Sequence, residues 1–137
     1  MPQNRPTHSA KQSAIGTLLP MPVPSDPVAK TMLVMLRRMA VHGLRDAHAS
    51  QIAFGSFGTR FTEVLALTRC LLHETAMASA RTIQIASCCT PRMTRDEALM
   101  IEVVMRGDKQ ALAALTENDR PTRALTAAFA LSDILKA

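Results

Sequence analysis

The chain contains no tryptophan, no tyrosine and only four phenylalanines among its 137 residues. That removes the aromatic platforms on which single strands stack and argues against a nucleic-acid partner. No apolar run is long enough for a membrane span or for the core of a secretion signal, so no membrane association is expected. Cysteine is scarce and odd in number, three residues in all. In the absence of a secretion signal, this points to a reducing, cytoplasmic setting. No stretch matches a nucleotide-binding loop, a metalloprotease helix, a nucleophile elbow or a complete zinc framework. No complete constellation for acid–base or hydrolytic chemistry is visible, and the reading leans away from an enzyme.

What is present is helical patterning over one domain's length, enough to bury roughly two-thirds of the unfolded chain's surface without a metal or disulfide. Residues 1–25 are rich in proline and polar side chains and lack a periodic apolar face, which predicts a disordered tail ahead of a single helical domain over 26–137. Asp26-Pro27 opens a first helix that runs to His42 and stops at Gly43, with Val28, Met32, Met35, Leu36 and Met39 as its stripe and Arg37 and Arg38 as the polar interruption. Asp46 caps a second helix that ends at Gly55 or Gly58. The third, Arg60 to Ala80, places Phe61, Val64, Leu65, Thr68, Leu71, Leu72 and Thr75 on one side. Ala66, Cys70, His73 and Met77 lie opposite, and so weakly polar a second face predicts neighbours on both sides. Thr82 to Ile85 alternates like a strand without a partner, which predicts an extended connector. A fourth helix to Arg106, a fifth capped by Asp108 and a last one opened by Pro121 complete an all-α, compact bundle of five to six helices.

The densest local chemistry is Cys88 to Glu97. Thr94 and Glu97 form a capping box that starts a helix near Arg95. A competing start, with Thr90 as N-cap and Pro91 in the first turn, puts Cys89 at the mouth of the helix, where the dipole favours a thiolate. Cys88 and Cys89 are therefore the reactive-thiol candidates. If the connector folds back along the third helix, they join Cys70 and His73 as ligands that suit zinc, the only cofactor considered. A closure between adjacent cysteines strains the intervening peptide and is the least favoured use of the pair. The spacing of His42, Asp46 and His48 also suits a metal, but Gly43 breaks the helix between them, and a structural role is preferred.

Charge is uneven. Lys30 to Arg95 carries nine basic residues against three acids, whereas Asp96 to Asp119 carries six acids against two bases. The basic half suits an anionic partner or the acidic segment of a second copy, and Arg37, Arg38, Arg92 and Arg95 are the candidate contacts. Helix-turn-helix placements around Gly55–Thr59 and Gly107 expose few basic residues in the following helix, which leaves a DNA-binding regulator as the weakest alternative.

The runs Leu19 to Pro27, Arg37 to Ala49 and Cys88 to Glu97 resemble a family of small uncharacterised alphaproteobacterial proteins, over most of the chain after the tail. The resemblance implies a bacterial cytoplasmic setting and supplies no site residues. The leading reading is a non-enzymatic interaction or regulatory domain that binds a protein partner or itself, as a homodimer, through apolar helix faces. The alternative is a redox or metal site at Cys88 and Cys89 with Cys70 and His73.

Overall fold

Aspartate, proline and glycine set the first helix as their placement predicts. In the computed structural model, which describes residues 19–137, α1 is Pro27–His42; Asp26 accepts the Ala29 amide at 2.9 Å, and Gly43 at φ +102° ends the helix. Asp46 caps α2, Ala47–Phe57, in the same way. A 3-10 turn, Gly58–Arg60, leads into α3, Phe61–Ala78. This helix ends short of the expected Ala80 because the Ser79 hydroxyl donates to the Arg81 carbonyl and accepts the Arg81 amide, turning the chain outward. The capping box of Thr94 and Glu97 is formed, and α4 is Arg95–Arg106. α5, Lys109–Thr116, is capped by Asp108, and α6 is Thr122–Lys136. The described residues thus form an all-α bundle of six helices. The one small sheet pairs β1, Met21–Pro22, antiparallel with β2, Arg92–Met93. Proline, which lacks an amide donor, is tolerated on such an edge.

The most extensive helix contact is between α3 and α6. The two run antiparallel, with Arg60 beside the start of α3 donating to the carbonyls of Ile134 and Ala137 at the end of α6. Buried Ala124, Ala127 and Ala128 let the backbones approach closely. α1 packs on α2 and α4, and α4 also meets α5 and α6. Met32, Met35 and Met39 of α1 meet Val64 and Leu71 of α3, Met100 and Val103 of α4, and Leu131 of α6 in one core. Each such side chain contributes on the order of 2 kcal/mol by leaving water.

Two expectations need correction. Ala66, Cys70, His73 and Met77 are exposed, so the second face of α3 is not covered by the described residues. Of the expected tail, residues 1–18 lie outside the described residues, but Met21 and Pro22 are paired with Met93 and Arg92 rather than free. The connector itself is extended as predicted, with Ile83 and Ile85 turned partly inward and Thr82 and Gln84 exposed. No helix among the described residues is long and apolar enough to cross a membrane.

Candidate functional site

An extended segment without a sheet partner must satisfy its backbone polar groups by other means. Here the two acids in the first turn of α4 do so. Glu97 accepts the Ala86 amide at 3.1 Å and the Thr94 amide at 2.9 Å. Asp96 accepts the Gln84 amide at 2.7 Å, and the Thr94 hydroxyl donates to the Gln84 carbonyl at 2.7 Å. Each acid is also held by an arginine, Glu97 through two nitrogens of Arg37 and both oxygens of Asp96 through the single Nη2 of Arg81. Arg37 donates through Nε and Nη2 to Glu97 at 2.7 and 2.9 Å, and reaches the carbonyls of Thr90 and Arg92 at 2.8 and 2.9 Å. Arg81 grips Asp96 at 2.9 and 3.0 Å and reaches the Leu115 carbonyl. Arg37 and Glu97 are 4 % and 1 % exposed. Charge buried so deeply survives only because nearly every donor and acceptor is matched.

This geometry reassigns the arginines expected to meet a partner. Arg37 is buried and bonded within the chain, so it is not available as a contact. Arg38 donates two bonds of 3.1 Å to Asp46. These bonds, chiefly, hold the Asp46 carboxyl below its ordinary value, against a smaller opposing effect of desolvation. Arg92 is exposed but donates to the carbonyls of Leu19 and Pro20, fastening the N-terminal strand. Arg95 is exposed, and no ion pair engages it among the described residues.

The four metal-ligand candidates do not converge. Among the described residues no three His, Cys, Asp or Glu side chains are grouped to hold a metal ion. The physical reason is helical phase. The connector lies against the Leu72, Thr75 and Ala76 side of α3, whereas Cys70 faces a groove beside α6. His42, Asp46 and His48 likewise form no cluster. Cys88 and Cys89 are free, with Sγ atoms 3.9 Å apart. The competing helix start is not used: Thr90 closes a turn on the Ser87 carbonyl, and Cys89 sits in that turn at φ +77° rather than at the mouth of α4. Such a backbone costs a non-glycine residue about 1–2 kcal/mol.

The α3–α6 groove has a volume of about 440 Å³ and is floored by Leu67, Cys70, Ala127 and Ala130, with Glu74 on one lip and Arg123 on the other. It continues past Met77, which is 72 % exposed. The basic residues that a DNA-reading α3 would present are engaged elsewhere: Arg69 bonds the Leu44 carbonyl and Ser50, and Arg60 bonds the end of α6.

Fold and surface together define a small all-α domain with one clamped irregular segment and one open apolar face. The chain belongs to a family of unknown function (DUF6628), whose model matches residues 8–137. No curated protein and no solved structure matches it.

Proposed function

We propose that this is a non-enzymatic helical interaction domain that binds a second copy of itself through the α3–α6 face. The observation that supports it most is the uncovered stripe of Ala66, Cys70, His73 and Met77 beside an apolar groove on the most extensively packed helix pair. Exposed apolar surface that no intramolecular neighbour covers marks an association site. A second copy fits because the lips carry opposite charge. A two-fold axis through this region sets Glu74 of one protomer against Arg123 of its partner and repeats the pair in reverse.

Sedimentation at micromolar concentration is expected to show a dimer, and Met77→Lys to return it to monomer while the fold is retained. Mild oxidation should trap the dimer through Cys70, and Cys70→Ser should not be trapped. A wild-type protein that stays monomeric removes this reading in favour of a different protein partner.

A second reading, a thiol-based redox site, is supported by the adjacent free thiols of Cys88 and Cys89, the latter exposed on strained backbone. It predicts that at least one of them is alkylated at pH 7 faster than an unfolded cysteine. Equal or slower rates at both positions remove it.

A further inference from the structure

The connector's alternation places Ile83 and Ile85 over a second hollow, on the other side of α3 from the groove. This cavity, of about 210 Å³, is walled by Met39, Leu44, Leu72, Ile83, Ile85 and Met100. Exposed Ala40 and Ala76 also line it and mark its open side. The clamps of Asp96 and Glu97 on the Gln84 and Ala86 amides hold this roof in place. Thr75 carries the only polar side chain among the lining residues, and it is 1 % exposed.

Its hydroxyl is anomalous. Thr68 and Thr116, also buried in helices, return their hydroxyls to the carbonyl four residues back, and buried Thr94 caps α4. Thr75 does neither. Among the described residues it holds the only buried side-chain nitrogen or oxygen without a hydrogen-bond partner. An ordered water needs two to four polar partners, and Thr75 supplies the only polar side chain among the lining residues. Cavities of roughly 150 Å³ with apolar walls already hold benzene. The two methionines can adapt to an irregular shape.

We infer that this cavity is a binding site for a small, mostly apolar molecule carrying a single hydroxyl or carbonyl group, which Thr75 recognises. A hydroxyl suits it best, since it both accepts from and donates to the threonine oxygen. The apolar body of the ligand fills the space between α1, α3 and the connector. The site is separate from the proposed dimer face, so neither depends on the other.

Titration of the full chain with p-cresol and with toluene, read by calorimetry or by chemical-shift changes at Met39 and Met100, tests the inference. Both probes should bind the wild type. Thr75→Val, which keeps the shape and removes the hydroxyl, should weaken p-cresol by about tenfold, the worth of one hydrogen bond. Toluene should bind that variant no more weakly than the wild type. Thr75→Ser should restore p-cresol. Ala76→Leu, filling the cavity from its open side, should abolish binding of both probes in a protein that still melts cooperatively. If neither probe binds at millimolar concentration, the cavity takes no molecule of this class and the inference is overturned. Equal weakening of both probes by Thr75→Val, or none, overturns the role of the hydroxyl and with it the ligand class. Binding that survives Ala76→Leu places the probes elsewhere and overturns the site.

Discussion

At the junction of α1, the connector and α4, two arginines and two acids hold irregular backbone by directed bonds. Along α3 and α6, alanine and leucine hold two regular helices by close approach. The first region consumes its polar groups internally and leaves Arg37, Asp96 and Glu97 nothing to offer a partner. The second leaves one side uncovered by the described residues, with Met77 largely exposed. Charge in this chain is thus a structural material where the backbone is irregular, whereas the side of α3 left uncovered by the described residues is weakly polar. Substitutions in the two regions should therefore fail in different ways: loss of stability at the junction, loss of association along α3 and α6.

The largest effect should come from Glu97→Ala, which leaves Arg37 buried without its carboxylate and strips the Ala86 and Thr94 amides of their acceptor. Breaking a buried pair from one side costs about 3–5 kcal/mol, measurable by urea denaturation. Met77→Lys should change stability by less than about 0.5 kcal/mol, as exposed substitutions do, while altering oligomeric state. If the two variants lose similar stability, the contrast between the regions is wrong.

Asp96→Asn comes next. It weakens a charged two-bond contact with Arg81 and the hold on the Gln84 amide, but Arg81 is 28 % exposed. A loss of about 2 kcal/mol is expected, together with faster proteolysis in 79–94 than elsewhere. Uniformly faster cleavage would show that the connector is not a separately held unit.

Thr94→Ala should cost about 1–2 kcal/mol, since this hydroxyl accepts the Glu97 amide and donates to the Gln84 carbonyl. Thr90→Ala, in an exposed turn, should cost less than about 0.5 kcal/mol. The reverse order would move the start of α4.

Helix boundaries were readable because their signals are local. Asp26-Pro27, Asp46, the Thr94–Glu97 box and Asp108 each act within a few residues of the backbone they cap, and each is found in place. The junction was not readable because its bonds cross the sequence: Arg37 and Glu97 are sixty positions apart. One hint was present. Arg37 lies on the side of the helix away from the methionine stripe, yet its helical neighbours Leu33, Val34, Ala40 and Val41 are all apolar, a setting in which a cation without a buried partner would be expelled. Periodicity also misled at the second face of α3. It reports that Ala66, Cys70 and Met77 are weakly polar, but not whether another part of the fold covers them, and among the described residues none does. The orphaned Thr75 hydroxyl carries no signal in sequence, because its helical phase matches that of Thr68, which is satisfied.

The smallest effect concerns the half-buried counterpart of the buried pair, Arg38 with Asp46. The hydrogen bonds from Arg38 lower the Asp46 carboxyl below its ordinary value of 3.8. A depressed folded value stabilises the folded state fully above the unfolded one, and that contribution is lost as the pH falls through the folded value. Asp46→Asn tests this cleanly, because asparagine caps a helix about as well as aspartate while lacking the charge. The urea midpoints of wild type and Asp46→Asn should differ slightly at pH 6, with wild type the higher, and converge once the pH has fallen through the folded value, below 3.8. Added salt at pH 6 should shrink the same difference, since the pair is only partly buried. In an Arg38→Gln background Asp46→Asn should show almost no pH-dependent difference. A gap that persists at low pH, or that survives removal of Arg38, would assign Asp46 to its cap alone and deny the Arg38 pair a part in stabilising this fold.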